Sequence, residues 1–130
     1  MPLPVPNNEL TVIDWTSETA AELREEGMYD EMVDMASGEF EKHVSDLKRM
    51  SGESKEEWKS WPPWKVAHSI KGLCLSLAFE RLARYAQSIE KLREDIAPGD
   101  LPEIIENMDM LFEMALKEAK SSLNEAKSGK

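Results

Sequence analysis

The strongest constraint on this chain is an apolar stripe that recurs at three- and four-residue spacing along each of its long segments. Toward the C-terminal end, Ile104, Ile105, Met108, Leu111, Phe112, Ala115, Leu116, Ala119 and Leu123 share one side of a 3.6-residue helix. Upstream, Met28, Met32, Val33, Ala36, Phe40, Val44 and Leu47 repeat the pattern, as do Phe79, Leu82, Ala86, Ile89 and Ile96. A stripe of this kind has to be covered by another element. No stretch alternates apolar and polar residues as a half-buried strand would, so the spacing predicts an all-α fold. The 130 residues give room for one core and hardly for two. Four amphipathic helices on short connections bury their stripes most simply as an up-and-down four-helix bundle, here with a short additional N-terminal helix.

Local signals divide the helices. The short first helix is expected from about 17 to 26, with Asp14, Thr16 or Ser17 to cap it and Gly27 to stop it, as a staple outside the core. Ser54 and Glu57 form a capping box for a further short turn. Pro62 and Pro63 are tolerated only at a helix start, which puts the next helix near Trp61. The helix through FERLARYAQSIEKLRED is expected to run to the APGD stretch, and Asp100 with Glu103 to cap the last helix. Three prolines in the first six residues predict a flexible tail over 1–12, and the closing SSLNEAKSGK is expected to fray, leaving a single domain over 13–126.

Charge and cysteine usage exclude several function classes. Twenty-six acidic against 16 basic residues give a net charge of -10, and no lysine- or arginine-rich face offsets it, so nucleic acid is not expected as a partner. No segment approaches the roughly 20 apolar residues of a membrane span, and the start lacks a signal-peptide pattern. A single cysteine, Cys74, forms no internal disulfide and suits a reducing compartment, so a cytoplasmic protein is expected.

The segment VAHSIKGLCLSL, residues 66 to 77, breaks the pattern of a plain core helix. On a helical wheel Val66, Ile70, Leu73 and Leu77 oppose His68 and form the core stripe, with Cys74 on its flank. His68 then faces outward beside Trp61, Trp64, Lys71, Gly72 and Leu75. Lys71 and Gly72 sit one turn on from His68, so an ammonium lies beside the imidazole and no side chain lies above it. That set suits a group receiving an anion from a bulky partner: an imidazole nitrogen as nucleophile, an ammonium for phosphate oxygens, and clearance for approach. It is equally the composition of a solvated face, and helical glycines often serve close packing between helices. Metal binding has less support, because His68 has no second ligand at helical spacing and His43 lies on another helix.

The run AHSIKG in this setting resembles the signature of histidine-containing phosphotransfer (HPt) domains. VIDW before the first helix, the long acidic second helix and FERLARYAQSIEKL after the histidine helix match that family's layout, covering roughly residues 12 to 120. The resemblance implies that His68 is the phosphoacceptor, with Lys71 and Gly72 in supporting roles. Gln87 and Glu90 lie on the next helix, where the family often has a polar residue hydrogen-bonding the imidazole or the phosphoryl group. Gln87 is assigned to the site chemistry, and Glu90, with Trp64 and Leu75, to partner binding. Leu73, Cys74 and Leu75 depart from the family's small residues after Lys-Gly, and Ala78 stands where the family has a glycine.

The implied function is that of a monomeric phosphoryl carrier in a multistep two-component phosphorelay, without kinase activity of its own. It would accept the group on His68 from the receiver domain of a hybrid histidine kinase and pass it to that of a response regulator. No resident cofactor is implied, since Mg²⁺ comes with the receiver. The starting methionine and the tails are read as those of a free-standing protein. Two alternatives remain: the phosphoacceptor domain of a chemotaxis-type histidine kinase, and a helical adaptor that binds receivers without chemistry.

Overall fold

The computed structural model describes residues 3–128, with side chains to 121. Leu123, the last member of the C-terminal stripe, and most of the segment expected to fray lie outside the described side chains. Six α-helices and two 3₁₀ turns account for the described secondary structure, and no strand occurs among the described residues. The helices are α1 (Glu18–Glu25), α2 (Tyr29–Ser51), α3 (Lys55–Trp58), α4 (Pro63–Ser76), α5 (Glu80–Glu90) and α6 (Leu101–Ser128). α2 packs on α4 and α6, α5 packs on the same two, and α1 rests on α2. None of the described helices is long and apolar enough to cross a membrane.

The stripes read from the sequence close on one another. Phe40 of α2 stacks on Phe112 of α6 with ring centroids 4.0 Å apart, and Phe79, just before α5, meets Phe112 edge-on at 5.8 Å. Each large side chain removed from water in this way contributes about 1.5–3 kcal/mol. No charged or polar residue is fully buried among the described residues, so the core carries no internal ion pair. α1 gives the core one fully buried residue, Ala20.

The buried arc of α4 is turned slightly from the expected one. Val66, Ala67, Ile70 and Cys74 are buried, whereas Leu73 is only half-buried. Cys74 and Leu73 thus exchange the roles assigned from the wheel, because α4 faces two neighbours, α2 and α5, whose combined contact shifts the arc toward Cys74. Burial pushes the Cys74 thiol up to about 12, which makes it a packing residue with no thiolate at neutral pH.

α4 ends in a Schellman turn. Phe79 N–H donates to Cys74 C=O at 2.9 Å and Ala78 N–H to Leu75 C=O at 3.2 Å, with Ala78 in the left-handed region at φ +59°. The same closure ends α1, where Met28 N–H reaches Leu23 C=O and Gly27 takes the left-handed position at φ +71°. Ala78 therefore performs a task that usually falls to glycine.

Two boundaries differ from expectation. α5 stops at Glu90 rather than at APGD: the chain tightens into a 3₁₀ turn at Arg93–Asp95, Arg93 takes φ +51°, and Ile96 is buried from extended backbone. Asp100 does not pair with Glu103; its carboxylate accepts the Ala97 N–H at 2.9 Å, closing the second 3₁₀ turn. Residues 3–12 run along α5. Arg81 donates to the carbonyls of Leu10 at 2.9 Å and Asn8 at 3.0 Å, and Leu3 and Val12 pack against the core. A proline-rich segment has little entropy to lose when it is tied down in this way.

Candidate functional site

His68 sits on the outer side of α4, five residues after the helix-opening Pro63, and its side chain is 62% exposed. The α4–α5 turn folds α5 back alongside, which brings Glu90, the last residue of α5, against the imidazole. His68 Nδ1 and Glu90 Oε1 are 2.6 Å apart, so Nδ1–H donates to the carboxylate. Glu90 Oε2 accepts from Lys71 Nζ at 2.7 Å. One carboxylate thus clamps both residues that the sequence placed side by side on α4.

Glu90 is largely covered, with 13% of its side chain exposed. Desolvation is the largest single influence on its carboxyl and opposes the charge. Hydrogen bonds from Lys71 and His68, with the attraction of both groups, outweigh it and hold the carboxyl below the usual carboxylate range. The anion is therefore present at neutral pH, and an anion at Nδ1 fixes the proton there. In the neutral ring the lone pair is then on the other nitrogen, Nε2.

Lys71 is less open than the wheel suggested, at 22% exposure, because Glu90 draws it in. Gly72 is exposed, and a Cβ built on it would meet nothing within 4 Å, so this glycine serves no helix–helix contact. Leu75 is 53% exposed on the same side. Gln87 makes no hydrogen bond to the imidazole; it lines a separate pocket with Asn7, Leu10, Arg84 and Ser88, beside the N-terminal segment. Of the two α5 residues offered for this place, Glu90 and not Gln87 reaches the imidazole.

A pocket of about 450 Å³ opens next to His68, lined by Trp61, Trp64, Lys65, Ser69, Glu90 and Arg93. Trp61 is 42% exposed. The Arg93 guanidinium lies 4.2 Å over the Trp64 ring. Lys65 and Arg93 escaped the reading of the sequence. Arg93 in particular falls within a stretch whose pattern reads as continued helix, and nothing in it announces the turn that brings its side chain back over Trp64. No group of His, Cys, Asp or Glu suited to a metal ion occurs among the described residues.

Compared with protein-family models, with curated proteins and with solved structures, the chain matches none.

Proposed function

We propose that this protein is a histidine phosphotransfer carrier of HPt type, whose α2, α4, α5 and α6 form an up-and-down four-helix bundle that presents His68 to receiver domains in the cytoplasm. The observation that carries this reading is the outward-facing imidazole held through Nδ1 by Glu90, with Nε2 open and Lys71 on the same carboxylate. The resemblance in AHSIKG and its flanking segments supports the same reading.

The chemistry follows from the proton at Nδ1. Nε2 attacks the phosphorus of a receiver's phosphoaspartate, a P–N bond forms as the acyl-phosphate P–O bond breaks, and the aspartate leaves as a carboxylate. The ring keeps its Nδ1 proton and gains positive charge, which Glu90 stabilises at 2.6 Å. Passing the group on reverses these steps. Lys71, turned from Glu90 toward the transferring oxygens, offers a cation for their charge, and Gly72 leaves room for the receiver. Mg²⁺ belongs to the receiver, and the chain itself has no kinase role.

Mixing the purified protein with a phosphorylated receiver domain tests this. Acid-labile label should appear on the wild type and be absent from His68→Gln. Exposed Trp61 and Leu75 favour a second reading, an adaptor that binds receivers through this face. That alternative predicts receiver binding with no label on either protein.

A further inference from the structure

The pocket beside His68 joins two segments that the chain positions at some cost. One is the α3–α4 connection, in which Lys59 takes φ +47°, ψ -116°; the other is the turn after α5, in which Arg93 takes φ +51°. Lys55 Nζ donates to Glu94 C=O at 2.6 Å and ties them together. Arg93, from the second segment, covers Trp64 in the first turn of α4, and Lys65 Nζ lies 5.6 Å from the same ring.

Charge gives this pocket its meaning. The chain carries a net charge of -10. Arg93 and Lys65 make no ion pair among the described residues; Lys65 reaches only the Ser60 carbonyl, at 2.9 Å. Two unneutralised cations therefore border the imidazole of an otherwise acidic protein. A guanidinium 4.2 Å over an indole keeps its N–H donors for a carboxylate, which it can bind through two of them at once.

We infer that this pocket is a recognition subsite for the acidic face of the receiver domain, Arg93 and Lys65 engaging its carboxylates while Trp61 and Trp64 take an apolar side chain. The inference rests on the carrier reading for the identity of the partner. A phosphoaspartate that works with Mg²⁺ is surrounded by carboxylate ligands, so any donor of this class approaches His68 acidic side first. A chain of like sign repels it at long range, and local cations at the point of contact reverse that field and fix the docking orientation. Arg93 and Lys65 are thus specificity-determining residues, acting on association and leaving the chemical step to His68, Glu90 and Lys71.

The probe is a set of receiver domains from the same genome, phosphorylated with acetyl phosphate and Mg²⁺. Each is titrated against wild type, Arg93→Glu, Lys65→Glu and His68→Gln, with binding read by tryptophan fluorescence and transfer by acid-labile label. Each charge reversal should raise the half-saturating receiver concentration at least about tenfold and flatten its salt dependence. The rate at saturation should stay within about twofold of wild type. A single Asp→Lys or Glu→Lys change on the receiver should restore binding to Arg93→Glu, which a merely structural role for Arg93 would not allow. Should a reversed variant fail to fold by circular dichroism, Arg93→Gln and Lys65→Gln read the same effect at smaller size. Unchanged half-saturation and salt dependence in folded variants overturn the subsite and leave the carrier reading standing. Binding by the wild type that weakens on charge reversal, with no transfer, keeps the subsite and overturns the carrier reading. A wild type that neither binds nor accepts label from any receiver overturns both.

Discussion

Glu90 holds His68 and Lys71 at once, one carboxylate oxygen 2.6 Å from the imidazole Nδ1 and the other 2.7 Å from the ammonium. Without that acceptor no other hydrogen bond of the ring among the described residues selects between its two tautomers. Glu90→Ala is therefore expected to mix the Nδ1–H and Nε2–H forms and to slow transfer about 10–100-fold, the usual effect of losing a group that orients a functional histidine. Nitrogen-15 NMR of the ring in both proteins reads the tautomer. Identical spectra would remove Glu90 from the site.

The same carboxyl gives a pH dependence of known sign. Its folded-state value is depressed, so the stabilisation is fully present above the unfolded carboxyl's ordinary value and is lost as the pH falls through the lower folded one. Denaturant titrations of wild type and Glu90→Gln should show stabilities that converge on acidification below the ordinary carboxylate range. A gap that stays constant to low pH would mean that the clamp is not ionic.

Lys71→Ala should slow transfer while costing about 1–2 kcal/mol of stability, since the ammonium takes no part in the core but its pair with the largely covered Glu90 carboxylate is lost. Glu90 retains His68 as a partner in that variant. Thermal melts together with the label assay separate the two effects, and a collapse of helical signal would show that Lys71 holds the fold.

Gly72 offers the sharpest separation of stability from function. It lies inside α4 with open space where a Cβ would be, so Gly72→Ala should stabilise the protein by about 1 kcal/mol through helix propensity alone. Gly72→Leu should keep most of that gain yet obstruct a docking receiver. Undiminished transfer by Gly72→Leu would refute the clearance argument.

The helices were legible because their stripes follow a period that only packing can satisfy, as Phe40, Ile70 and Phe112 illustrate. What the sequence hid depends on contacts between elements. The exchange of Leu73 and Cys74 follows from the arc of α4 facing two neighbours, which a wheel drawn on one helix does not contain. The early end of α5 has no proline or glycine to signal it, only Arg93 at positive φ. In the candidate site His68, Lys71 and Gly72 share one helix, so their spacing was readable in advance. Glu90 and Gln87 are three residues apart on α5, and only the packing of α5 on α4 decides which reaches the imidazole. The anchoring of residues 3–12 by Arg81 depends on a side chain some 70 positions away.

Backbone strain near the pocket gives a final test. Lys59, exposed at φ +47° and ψ -116°, reverses the chain between Trp58 and Trp61; the Trp58 indole is buried and donates to Met50 C=O at 3.1 Å, and Trp61 stands at the pocket rim. This conformation costs a non-glycine residue about 1–3 kcal/mol. Glycine relieves it and gives back roughly 0.4–1 kcal/mol through the freer unfolded chain. Lys59→Gly is therefore expected to stabilise the protein by about 1 kcal/mol without moving Trp58. The reciprocal change, Gly27→Ala at φ +71° with nothing within 4 Å of the added Cβ, should destabilise it by a similar amount, because only backbone conformation is altered. Urea titrations of both variants decide the matter: a Lys59→Gly protein no more stable than wild type would show that the turn is relaxed in solution, and that the two tryptophans are placed by packing alone.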